Sequence, residues 1–118
     1  MEAEENDIRK LIVYGDHFWE FYNDQRKKVQ DRIDWVIRII RTTRVIPAQY
    51  FKHLAGTEGL YEIRVQAGND IFRIFCCFDE GSLIVFFSGF QKKTERTPSK
   101  EIEKALRLKN EYYENKEK

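Results

Sequence analysis

Two arginines stand inside otherwise apolar stretches of this chain, Arg64 in Y-E-I-R-V and Arg73 in I-F-R-I-F. A cation in mid-strand is costly unless it faces water or an anion. If the two stretches are hairpin neighbours, both side chains emerge on the same sheet face. Phe90, Gln91, Lys92 and Lys93 end the last apolar stretch, and Lys52 and His53 lie in the loop before the first of the three. Guanidinium and ammonium groups converging from these segments suit a phosphate, and suit a phosphorane-like transition state with extra negative charge better still. Each site also has a plainer reading. Arg64 can pair with Glu62 on a solvated face, and Arg73 can belong to a structural ion pair at the sheet surface. Lys92 and Lys93 then mark an ordinary charged strand exit, Lys52 is a loop lysine, and His53 is a surface or capping residue.

Other chemistries are poorly supplied. Cys76 and Cys77 are adjacent within an apolar strand, point to opposite faces, and read as small core residues. Only two histidines occur, His17 and His53, without metal-ligand spacing, so no metal site and no cofactor are expected. His17, beside Phe18 and Trp19, reads as packing. Asp79 and Glu80 sit in turn chemistry, where a paired acid and base is badly placed. The basic flank Arg26, Lys27, Lys28 and Arg32 is interleaved with acids and reads as a solvated helix face.

The elements that must position these residues follow from changes in hydrophobic period. Residues 8–14 form an apolar run ended by Gly15 and Asp16, a first strand whose terminal aspartate can cap a helix. Phe18, Phe21 and Tyr22 give a short helix to about Asp24. Val29, Ile33, Val36, Ile37 and Ile40 make one stripe along a second, ended by Thr42, Thr43 and Pro47. From Leu60 the period is two, with Tyr61, Ile63 and Val65 on one face and Glu62, Arg64 and Gln66 on the other. Turns at 67–70 and 79–82 join this strand to 71–78 and 83–90 in an antiparallel meander. The middle strand is apolar on both faces, so both faces of the sheet need cover. Thr97 and Pro98 open a final helix carrying Ile102, Ala105, Leu106 and Tyr113. The expected fold is α+β, in the order βααβββα, a small antiparallel sheet packed by a helical hairpin and a C-terminal helix.

At 118 residues the chain is sized for a single domain, 1–118, with 1–7 and 114–118 expected to fray. Twenty-one basic against 20 acidic residues leave a formal charge of +1, which excludes a uniformly basic chain but not a local patch. No apolar run approaches the roughly 18 residues of a membrane span. The acidic start M-E-A-E-E-N-D is unlike a secretory signal, and two adjacent cysteines make no disulfide framework. A cytoplasmic, reduced protein is expected.

The stretches G-L-Y-E-I-R-V, I-F-R-I-F-C-C-F-D-E-G, S-G-F-Q-K-K-T and T-P-S-K-E-I-E-K-A resemble, in the right order, the phage-derived, HigB-like branch of the RelE/ParE toxin superfamily. The likeness runs from about Ile8 to Tyr113. It implies the toxin of a type II toxin–antitoxin pair, an endoribonuclease that cuts messenger RNA on the ribosome without a metal. Its partners would be a cognate antitoxin, in a toxin–antitoxin hetero-oligomer, and mRNA with the ribosome. In such enzymes the ribose 2′-oxygen attacks the adjacent phosphorus and the 5′-oxygen leaves. By position, Arg64 matches a basic residue near the scissile phosphate, and Arg73 an arginine assigned to transition-state charge. Lys92 or Lys93 matches a basic residue after the last strand. Lys52, His53 and Gln91 would contact RNA, and Phe90 would stack on a base. The sequence departs from the pattern in two places. Glu62 stands where some RelE-like members carry a second basic residue, and no tyrosine holds the usual C-terminal catalytic position, leaving His53 or a lysine as general acid. The same scaffold also carries gyrase-inhibiting ParE relatives and admits an inactive phage relic that only binds an antitoxin.

Overall fold

The structure is a computed structural model describing residues 7–116. Its elements are β1 (Leu11–Val13), α1 (His17–Asn23), α2 (Lys27–Thr42), β2 (Phe51–His53), β3 (Tyr61–Ala67), β4 (Asp70–Asp79), β5 (Leu83–Lys92) and α3 (Ser99–Lys116). The strands form one five-stranded sheet in the order β1-β5-β4-β3-β2. The α+β architecture and the β3–β4–β5 meander are those expected from the hydrophobic periods.

Two features of the sheet go beyond that expectation. Residues 51–53, read as loop, form an antiparallel edge strand against Tyr61, Glu62 and Ile63. β1 runs parallel to β5, pairing Leu11–Val13 with residues 84–86, so the sheet is mixed rather than purely antiparallel. β1 is also shorter than the apolar run containing it, because parallel pairing supports only these three residues. Asp16 precedes α1 as expected but makes no side-chain capping bond. At the C-terminal end of α2 and just past it, the Arg9 guanidinium donates to Ile40 O, Thr43 O and Arg44 O at 2.6–2.8 Å. Glu114, Asn115 and Lys116, expected to fray, continue α3, and Lys116 is held by Asp79 at the end of β4 and Glu80 of the β4–β5 turn.

Both sheet faces are covered, unequally. The α1–α2 hairpin lies on one, where its stripe Val29, Ile33, Val36, Ile37 and Ile40 is buried against Ile63, Val65, Ile74, Cys76 and Phe86. Helix α3 covers part of the other, with Ala105 and Leu108 on Phe75, Cys77, Val85 and Phe87. Gly89 lets α1 lie close, since a Cβ there would run into the Phe21 ring. The β3–β4 turn is a two-residue loop whose first position, Gly68, has φ 63°, the left-handed backbone that glycine adopts without strain. Among the described residues no helix is long and apolar enough to cross a membrane.

Candidate functional site

The part of the sheet that α3 leaves open carries the cations. Arg64 of β3 is directly opposite Arg73 of β4, and Arg73 is directly opposite Phe90 of β5. Opposed residues share a face, so the three form one row, with neighbouring strands about 4.8 Å apart. The Arg64 N–H donates to Tyr50 O at 2.8 Å, away from β4. The Arg64–Arg73 pair is therefore of the closer, non-hydrogen-bonded kind, in which side chains approach most nearly. Two like charges so placed repel.

Glu62 offsets the repulsion. Its Oε2 lies 3.6 Å from Arg73 Nε and its Oε1 lies 3.8 Å from Arg64 Nε. Both are ion-pair distances longer than a hydrogen bond, and neither Nε nor Glu62 Oε2 has a hydrogen-bond partner among the described residues. Arg73 is anchored by a hydrogen bond from its guanidinium to Phe72 O, 3.0 Å. It is only 6% exposed, and burial pushes its guanidinium pKa below the ordinary value; Glu62 opposes that shift and Arg64 adds to it. Two guanidiniums against one carboxylate leave an excess positive charge with donors still free to meet an anion.

The arginine pair opens into a groove of about 790 Å³. β2 reaches only as far as Ile63 along β3, so the outer edge of residues 65–67 carries no strand. There the groove is walled by Lys28, Arg32 and Trp35 of α2, by Gln49 and Tyr50, and by Arg64, Gln66, Ile71 and Arg73 of the sheet. Arg32 spans it, donating from Nε to Gln66 O at 3.1 Å with its guanidinium 4.1 Å from the Trp35 ring centroid. The Tyr50 ring stands edge-on to Trp35, centroids 5.6 Å apart at 80°.

Of the residues singled out in the sequence, Lys52 (opposite Glu62), Arg64, Arg73, Phe90 and Lys92 (opposite Ile71) share this face. Phe90 is half-buried and tilts onto Phe75, ring centroids 5.5 Å apart. Phe90 and Lys92 are here because of a bulge. The register passes from Phe75↔Ser88 to Cys76↔Phe86, and Phe87 is the extra residue. Ile84 and Phe86 face the helical hairpin, and without that extra residue Phe90 and Lys92 would do so too. Lys93 lies one position past β5, exposed and off the ladder. His53 and Gln91 are opposite Tyr61 and Phe72, on the hairpin's face. His53 packs edge-on to Tyr61, and its Nε2 lies 3.1 Å from Thr57 O.

The tyrosines of α3 belong to a different cluster. Tyr112 donates to Asp79 Oδ2 at 2.7 Å and Tyr113 to Phe78 O at 3.0 Å. Burial, chiefly, pushes both phenols up to about 12. Asp79 is six residues along β4 from Arg73, about 20 Å at strand rise. Both cysteines are buried, and burial raises both thiol pKa values. Lys28 and Arg32, read from the sequence as part of a solvated helix face, line the groove instead, and Trp35 and Tyr50 were passed over. The usable signal was the i, i+3 spacing of Arg32 and Trp35, which puts both on one side of α2.

Residues 20–110 match the family model described as phage derived protein Gp49-like (DUF891), a stretch that includes every residue lining the groove. No curated protein matches the chain.

Proposed function

This chain belongs to the phage-derived Gp49-like family, and from that premise we propose that it is the toxin of a toxin–antitoxin pair and that its open sheet face cuts RNA. The observation that carries the reading is the Arg64–Arg73 pair, opposed across two strands and opening into a groove. A phosphodiester seated there meets two guanidiniums. The 2′-hydroxyl gives its proton to water, its oxygen forms a bond to phosphorus, the P–O5′ bond breaks, and the products are a 2′,3′-cyclic phosphate and a 5′-hydroxyl. Charge on the phosphorane-like oxygens rises during the step, so Arg73, held by Phe72 O in dry surroundings, stabilises the transition state more than the bound substrate. Phe90, in line with the pair, offers a ring to a base. Lys52 and Lys92 bring ammonium groups to the same face and are the candidates to deliver the proton that the 5′-oxygen takes up; His53, on the opposite face, is not. Messenger RNA on the ribosome, and therefore the cytoplasm, is the proposed setting. The proposed partner is an antitoxin that neutralises the basic face.

Induced expression tests this. The intact chain should arrest growth and generate new RNA 5′-hydroxyl ends. Arg64→Ala and Arg73→Ala should each lose about 10²–10³ of the cleavage rate, the usual cost of one transition-state donor, while remaining folded by circular dichroism. Cleavage persisting in both variants rejects the mechanism. Growth arrest with intact RNA and altered plasmid supercoiling would identify a gyrase-directed toxin in its place.

A further inference from the structure

The α2 side of the groove has no role in the chemistry described so far. We propose that it is a base-binding subsite for single-stranded RNA, with the Arg32–Trp35 stack as its platform, adjoining the phosphate site at Arg64 and Arg73. The proposal rests on the RNA reading above and extends it to where the strand runs.

Trp35 is 43% exposed, an unusual position for the largest apolar side chain. It is nevertheless held in place, with Arg32 over its ring and Tyr50 at its edge. Arg32 is itself fixed by Gln66 O, so the platform is rigid before any ligand arrives. Aromatic rings and guanidinium planes are the surfaces on which unpaired bases stack. Gln66 is two residues along β3 from Arg64, about 7 Å, within reach of the nucleotide next to the reacting phosphate. Lys28, Arg32, Arg64 and Arg73 outnumber Asp31 in the lining, and Asp31 is paired with Lys27 at 2.7 Å. The volume is that of a small-ligand cleft.

The open edge of β3 raises a second occupant, an extended protein segment added as a further strand. Arg32 argues against it. Strand addition needs the outward carbonyl of Gln66, and the Arg32 Nε–H already holds that oxygen.

Trp19 and Trp35 are the only tryptophans, so Trp19→Phe leaves Trp35 as the sole reporter. The probe is a short 2′-O-methyl oligoribonucleotide, which cannot be cleaved, titrated at low salt. The expected result is saturable quenching of Trp35. Trp35→Ala should bind a labelled copy about 5- to 150-fold more weakly by anisotropy, the range for one lost base–aromatic stack. Trp35→Phe should keep most of the affinity, and circular dichroism should show both variants folded. Equal affinity in Trp35→Ala with unquenched Trp35 would overturn the subsite and leave RNA binding at the arginines intact. Quenching by an acidic peptide but not by the oligonucleotide would overturn it in favour of a protein strand. Failure of the oligonucleotide to bind any form of the protein would overturn the subsite together with the RNA reading.

Discussion

Glu62→Gln keeps the shape of the side chain and removes the negative charge shared by two opposed guanidiniums. At 3.6 and 3.8 Å, each attraction is about 4–5 kcal/mol at an effective dielectric of about 20 before desolvation is counted. Breaking a buried pair costs about 3–5 kcal/mol net. The Arg64 side chain is 34% exposed, so water screens that arm and we expect a loss near the lower end, about 3 kcal/mol. With about 2.1 cal/mol/K of unfolding entropy per residue over 118 residues, this lowers Tm by about 12 °C. The deficit should shrink in 1 M salt, where the screening length falls to about 3 Å and the released Arg64–Arg73 repulsion is damped. The same change uncovers a positive charge at the anion site. Affinity for the uncleavable oligonucleotide should therefore rise, and its salt dependence should steepen by about 0.7 in log–log slope. Thermal melts at two salt concentrations, paired with a binding titration, read both effects. An unchanged Tm together with unchanged oligonucleotide affinity would show that Glu62 does not neutralise the arginine pair.

Two further outcomes probe the supports of this face. Gly89→Ala puts a methyl into the Phe21 ring and should destabilise the fold by about 1–3 kcal/mol through overpacking. Denaturant unfolding with no shift in midpoint would mean that α1 is not seated on β5 as described. The pKa of Asp79 is lowered first by its hydrogen bond from Lys116 and then by that from Tyr112. A depressed carboxylate stabilises the fold above the unfolded-state value of about 3.9, and this contribution is lost as pH falls through the lower folded value. Asp79→Asn should flatten stability against pH below about pH 4, and superimposable acid limbs for the two proteins would reject the assignment.

Local pattern carried far in this chain. The α2 stripe was legible because burial against a sheet demands a 3.6-residue period, and every member of it is buried. Arg64 and Arg73 could be placed on one face because strand side chains alternate and a two-residue turn pairs neighbours closely. The plainer reading, an ion pair, is present for both arginines in their shared partner Glu62, and the same two side chains line a groove. β2 was missed because three residues, F-K-H, are too few to show a period. The far end of α3 was expected to fray because its anchors, Asp79 and Glu80 at the end of β4 and the turn after it, are remote in sequence.

The amino-acid sequence alone determined the helical hairpin, the β3–β4–β5 meander and the start of α3, and which faces of them are apolar, because those preferences are satisfied within a few neighbouring residues. The tertiary structure alone decided that β1 closes the sheet in parallel beside β5, and that one extra residue at Phe87 turns Phe90 and Lys92 toward Arg73. It alone brought Arg32 and Trp35 across to the open edge of β3. Such features depend on which distant segments pair and in what register, and register is set by the sum of contacts over the whole sheet rather than by any local run of residues.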